Sequence, residues 1–261
     1  MNKKVLLWLV LIFLVIDGAL LVYKITKPSK KHPTPIHKEK PHYKYSVFLT
    51  SDDGPLVGSR YLHQIIKDYE VPFTLFLVGK PVNSDSRLKP YLINYKNNCY
   101  AMLGNHSYSH ANFHYKKFYT NPKGVVQDFL KNEKILDINF SVARLPGRNV
   151  WVLDNNHTKG EPNALKAAIL LNKEHNYKVF GWDYELRHNG KGKVLKSVKE
   201  HYKRIKELLK NGKTYTKNQI VILMHDQMFT NDLSSKELGE LILLLQDDEE
   251  IKLKKIDKYK F

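Results

Sequence analysis

Between Tyr45 and Ile256, short apolar runs alternate with longer segments of helical spacing, and this alternation limits the possible folds more than any other feature of the chain. Residues 47–51, 73–78, 100–103, 142–145, 178–182, 220–224 and 251–256 read as strands. Brief, nearly continuous apolar runs suit strands buried on both faces. Helices are expected between them at 59–69, 88–95, 125–138, 164–175, 194–209 and 235–245, the last capped by Ser234 or Ser235. Leu62, Ile65, Ile66 and Tyr69 fall on one face of the first, and Val126, Phe129, Leu130 and Ile135 run along the third. Strand–helix alternation predicts an α/β fold, a parallel sheet with helices outside it. About seven such units fit a (β/α) barrel, complete or not, with a doubly wound open sheet as the alternative. Asp52-Asp53, Asn105-His106, Arg144, Glu185 and His225-Asp226 each fall at or just after the carboxyl end of an expected strand. Barrel enzymes place their chemistry on that one rim, which favours the barrel.

The amino terminus is a separate object. Lys3 and Lys4 precede an apolar run over 5–22, broken only by Asp17 and Gly18. Eighteen helical residues span roughly 27 Å, close to the hydrocarbon thickness of a bilayer. The run is long for a signal peptide, and Asp17-Gly18-Ala19 is a poor cleavage site. Residues 1–23 are therefore expected to form one uncleaved transmembrane helix. Residues 24–44 are rich in Lys, Pro and His, including Pro28, Pro33, Pro35 and Pro41, and have no apolar face to bury. They read as an extended tether to a domain over 45–261.

The 261 residues carry a formal net charge of +17. Eight lysines against two acidic residues in the first 43 positions leave +11 for the remainder. Such a balance suits an anionic neighbour, or simply a lysine-rich solvated surface. No basic–aromatic interleaving or binding motif points to nucleic acid. The single cysteine, Cys99, excludes an internal disulfide and a thiolate metal cluster, and is expected as a small buried side chain.

Four short stretches carry chemistry. Asp52 and Asp53 end the first strand, where neighbours would point to opposite faces unless Gly54-Pro55 breaks it. Alone, the stretch is also what a solvated acidic turn looks like. His106 and His110 are four apart, a spacing that puts both on one face of a helical turn, where neutral imidazoles bind a cation. A pair of surface histidines has the same spacing, and His114 continues it in an exposed tyrosine- and lysine-rich segment. His225 closes the most apolar strand and is placed as a general acid or as an ordinary rim histidine. Arg144, ahead of Leu145-Pro146-Gly147, either orients a carboxylate or sits in a weak surface pair. Asp, His and His suit a divalent metal with one carboxylate to spare, the requirements of metal-dependent hydrolysis.

Taken in order, these stretches resemble the polysaccharide deacetylase family, the NodB-homology carbohydrate esterases, over about 46–256. Residues 50–55 are similar to T-F-D-D-G-P, 106–110 to H-S-x-x-H, 144–147 to R-x-P, 182–185 to W-x-x-D, and 223–226 to L-x-H-D. The resemblance implies a deformed barrel and a metal, most often zinc, held by Asp53, His106 and His110. It makes Asp52 the general base, His225 the general acid, and Arg144 the group that holds Asp52. The backbone N–H of Gly147 would help stabilise the oxyanion. It implies hydrolysis of N-acetyl groups on sugars of an envelope or extracellular polysaccharide, by a membrane-anchored domain outside the cytoplasm. The lysines that follow the apolar run argue for the opposite orientation. Three departures stand out. Ser51 replaces an aromatic, Gly147 replaces the aromatic after the proline and removes a groove wall, and Glu185 stands where Asp is usual and would tune His225. Trp151 and Trp182 are candidate sugar-stacking rings, core packing being expected first for Trp182. A binding or assembly protein on the same fold, without turnover, is the competing reading.

Overall fold

A computed structural model describes residues 43–187, 196–230 and 232–261. The expected transmembrane helix lies outside these residues, as does the tether apart from Tyr43 and Lys44. Among the described residues, no helix is long and apolar enough to cross a membrane.

The strands are β1 (Tyr45–Asp52), β2 (Phe73–Leu77), β3 (Ala101–Asn105), β4 (Val142–Ala143), β5 (Trp151–Val152), β6 (Thr158–Lys159), β7 (Lys178–Val179), β8 (Tyr184–Glu185), β9 (Gln219–His225) and β10 (Ile251–Leu253). The helices are α1 (Ser59–Asp68), α2 (Gly79–Ser84), α3 (Lys89–Lys96), α4 (Tyr115–Phe118), α5 (Pro122–Leu136), α6 (Pro162–His175), α7 (Val198–Lys210) and α8 (Asp232–Gln246). Local chemistry sets several of their starts. The Asn121 side chain accepts from Gly124 N–H and Pro122 opens α5; the Glu161 carboxylate accepts from Asn163 and Ala164 N–H and Pro162 opens α6. Ser197 and Glu200 form a reciprocal capping box at α7. Ser234 and Ser235, expected as caps, lie inside α8.

Seven strands pair in parallel in the order β7-β4-β3-β2-β1-β9-β8. That order follows the chain in one direction and brings β9 back beside β1, the winding of a barrel. A doubly wound sheet reverses at a switch point instead. β7 and β8 are the unjoined ends of this run, and the antiparallel pair β5–β6 attaches at β7. The result is a deformed, incomplete α/β barrel. β10 and β2 share one edge of β1: Tyr45–Val47 pair with β10, Leu49–Asp52 with β2.

Two buried clusters follow the strand alternation. Phe48, Phe76, Val142, Phe180 and Val221 belong to the smaller one, whereas Val47, Leu49, Leu75, Ala143 and Ile222 belong to the larger. Helix residues such as Leu62, Ile66, Phe129 and Leu171 join the larger cluster, so the smaller one fills the barrel interior. Asp52, two pleats beyond Phe48, and His225, two pleats beyond Val221, continue the inward face.

Several expectations need correction. The strand expected over 178–182 stops at Val179, because the carbonyls of Phe180 and Gly181 accept from the Arg144 guanidinium at 3.2 and 2.9 Å. Ile256 sits in a short helical turn beyond β10, not in it. Cys99 is exposed. Trp151 is the core tryptophan, 1% exposed and stacked on Tyr215 at 4.4 Å, whereas half-buried Trp182 faces the rim cavity.

Candidate active site at the barrel rim

All eight residues singled out from the sequence converge on the carboxyl rim. Asp52, Asp53, His106, His110, Gly147, Glu185 and His225 line one cavity of about 550 Å³, and Arg144 lies beneath it. β1 ends at Asp52, and Asp53 adopts φ 74, so two successive carboxylates reach the same space. Gly54 follows because a Cβ there would lie 2.3 Å from the Asp226 carboxylate. Asp52 and His225 are register partners at the ends of β1 and β9, which places them side by side.

Arg144 is fully buried. It donates to Asp52 Oδ1 at 2.9 Å, to Thr50 Oγ1 at 2.7 Å and to the two carbonyls after β7, with Phe76 beneath its plane at 4.3 Å. This is an orienting clamp, not a surface pair. The other Asp52 oxygen, Oδ2, lies 3.5 Å from His106 Nε2.

His106 Nδ1 lies 2.8 Å from the Arg144 carbonyl oxygen. The carbonyl can only accept, so Nδ1 carries the proton and the Nε2 lone pair faces Asp53, 3.6 Å away. Burial lowers the pKa of His106, favouring the neutral ring that a metal requires. His110 Nε2 lies 3.1 Å from Asp53 Oδ1. The two histidines do not share a helical turn as their spacing suggested. Ser107 and His110 both have positive φ, and a left-handed turn brings the rings to 5.2 Å. Asn105 Oδ1 accepts from Ser107 N–H, Ser107 Oγ from His110 N–H, and Asp128 from the N–H and hydroxyl of Ser109.

The donor atoms of Asp53, His106 and His110 lie within 4.8 Å of one another. Asp53 Oδ1 is buried without a hydrogen-bond partner, the state of an oxygen that a cation would satisfy. Burial opposes its charge, but His110, His106 and His225 outweigh this and bring its pKa to about 2. One carboxylate and two imidazoles fit a divalent ion of borderline softness such as zinc.

Glu185 is half-buried in β8, opposite Leu223, with Oε2 3.5 Å from Arg187 Nε. Gly147 takes φ +61 at the cavity wall. Sequence reasoning assigned no role to two further carboxylates, Asp226 and Asp183. Asp226 is fully buried, accepts from Ser51 Oγ at 2.6 Å and Tyr95 O–H at 2.7 Å, and also accepts from Ser59 Oγ. Burial raises its pKa to about 6. Asp183 is also raised to about 6 by burial, and accepts from Tyr215 and Val221 N–H. Asp226 closes the 223–226 match and sits at the end of an expected strand, and Asp183 lies within the 182–185 match; these are the sequence signals for them.

Fold and site together define a deformed α/β-barrel protein with acid–base groups and a candidate metal triad on one rim. The polysaccharide deacetylase family model matches residues 39–146. No curated protein matches the chain. Among solved structures, the catalytic domain of a peptidoglycan N-acetylglucosamine deacetylase from Eubacterium rectale is 17% identical with a TM-score of 0.59, covering 81% of this chain and 88% of that one. A CE4 esterase from Streptococcus mutans is 22% identical with a TM-score of 0.57, covering 82% and 87%. A CE4 family pseudoenzyme from Bacillus anthracis shares the fold at 16% identity and a TM-score of 0.56, covering 84% and 66%. Residues 39–146 thus resemble the polysaccharide deacetylase family, and the solved neighbours share the fold of the whole domain.

Proposed function

We propose that this protein is a metal-dependent N-deacetylase of N-acetylated sugars in a cell-envelope or extracellular polysaccharide. The observation that carries the reading is the pairing of Asp52, held by Arg144, with the Asp53–His106–His110 donor set in one cavity. Asp53, His106 and His110 would hold the ion, zinc by the nature of the donors. A divalent cation there supplies Lewis acidity, activating water and polarising the amide carbonyl. Asp52 accepts the proton of the attacking water, its geometry fixed by the Arg144 fork. The Gly147 N–H donates to the developing oxyanion. His225, beside Asp52, protonates the departing amine, so that acetate and a free amino sugar leave. Glu185 lines the same cavity as His225.

The apolar run over 5–22 supports a membrane anchor, and the resemblance to deacetylases of envelope glycans supports this domain lying outside the cytoplasm, where a polymer is the natural substrate. The structural neighbours include a pseudoenzyme, so shared fold alone does not carry turnover. The test is acetate release by the zinc-loaded full-length chain from peptidoglycan and from N-acetylglucosamine oligomers, beside Asp52→Asn. Release that Asp52→Asn abolishes supports the reading. Zinc bound at Asp53, His106 and His110 with no acetate from any acetylated glycan refutes it in favour of a binding protein.

A further inference from the structure

The cavity has an aromatic side that the reaction does not use. Phe113 is 76% exposed although it lines the cavity. Its ring meets that of His110 edge-on at 5.3 Å, and Tyr115 meets the same histidine ring at 5.7 Å. The backbone goes out of its way to present it. His110, Ala111, Asn112 and Phe113 are four consecutive non-glycine residues with φ between 46 and 63. Such a run is strained and persists only when its surroundings hold it. Tyr115 is anchored differently. It opens α4, whose next residue, Tyr119, donates its hydroxyl to the Pro146 carbonyl at 2.7 Å. The Tyr115 ring then occupies the space beside Gly147, where a Cβ would approach it to 2.9 Å. Gly147 thus cannot carry a groove wall, and the wall is supplied by the segment that follows His110.

From this geometry we infer that Phe113 and Tyr115 form a sugar-binding platform, taking the C–H face of an N-acetylated pyranose. A pyranose is apolar on its faces and polar at its rim. It suits a site with aromatic rings on one side and carboxylates and imidazoles on the other. The platform lies against His110, so the ring it holds is the one whose acetamide is cleaved or its direct neighbour in the polymer. The inference rests on the deacetylase reading for the kind of ligand but not on turnover.

The test is binding of a pentamer of N-acetylglucosamine to the zinc-loaded full-length chain carrying Asp52→Asn, by calorimetry and by saturation transfer to sugar protons. Phe113→Ala and Tyr115→Ala should each weaken binding about three- to tenfold, the worth of one aromatic contact. Phe113→Tyr and Tyr115→Phe should restore it, Phe113→Leu should not, and zinc content should stay at one per chain. Phe113 is exposed, so its removal leaves the core intact even if Tyr115→Ala disturbs folding. Unchanged affinity in Phe113→Ala, or full retention by Phe113→Leu, overturns the platform. Binding that depends on Phe113 in a chain whose native form releases no acetate sinks the deacetylase reading and leaves the platform standing. Acetate release with a KM indifferent to Phe113→Ala does the reverse.

Discussion

Replacing Arg144 by leucine should unfold this domain more readily than any single loss of apolar contact. Its guanidinium is fully buried and donates to Asp52 Oδ1, Thr50 Oγ1 and the carbonyls of Phe180 and Gly181. Asp52 is only 3% exposed. Stripping a buried carboxylate of its partner costs about 3–5 kcal/mol. Each carbonyl left without a donor adds about 1 kcal/mol. The expected loss is therefore about 5–7 kcal/mol, or roughly 10–30 °C in Tm for a domain of this size. The assay is urea unfolding followed by circular dichroism with metal chelated, so that ligation does not enter. Most of the loss is attributed to one charge, so Asp52→Asn in the Arg144→Leu background should recover about 2 kcal/mol. Equal stability of Arg144→Leu and the double variant, within about 0.5 kcal/mol, would refute the assignment of Arg144 as the counter-charge of Asp52.

Other outcomes follow from single contacts. Burial raises the Asp226 pKa from 3.8 to about 6. Between those values the folded state holds a proton that the unfolded state has released, so stability falls as pH rises through this window. Asp226→Asn lacks that fall, and its advantage should grow by about 2 kcal/mol from pH 4 to pH 6.5 in metal-free protein, read from urea midpoints; parallel profiles would refute it. Gly147→Ala should cost about 1–2 kcal/mol from its positive φ alone, plus a clash with Tyr115. Only the clash should vanish in Tyr115→Ala. Asp128→Ala frees Ser109 and loosens the His110 turn, and should weaken zinc about 10–100-fold, measured by chelator competition. Zinc at a hundredfold excess over its Kd should stabilise the native chain by about 2.7 kcal/mol; His110→Ala should erase that shift in a melting scan.

What the sequence disclosed and what it concealed have a physical division. β1 and β9 were legible because both faces of each are buried and each is built around an unbroken apolar run, 47–49 in one and 220–224 in the other. Their polar ends, Asp52 and His225, therefore stood out. β5, β6 and β8 are two residues long, and β6 is exposed, so no apolar period marks them. Asp226 meets partners 175, 131 and 167 residues away, contacts that no local pattern encodes. The spacing of His106 and His110 was read as helical because the sequence shows the interval but not the sign of φ at Ser107. Arg144 joins the two problems. From sequence it was either a clamp or a surface ion, and only its burial decides. Its position also explains why the strand at Lys178 ends after two residues. The carbonyls that would have continued the ladder turn to Arg144, and the fork they hold is the fork that orients Asp52. The place where the barrel departs from regularity is thus the place where its chemistry is held, and a sequence pattern tuned to regular strands reads the first as noise and the second as a lone arginine.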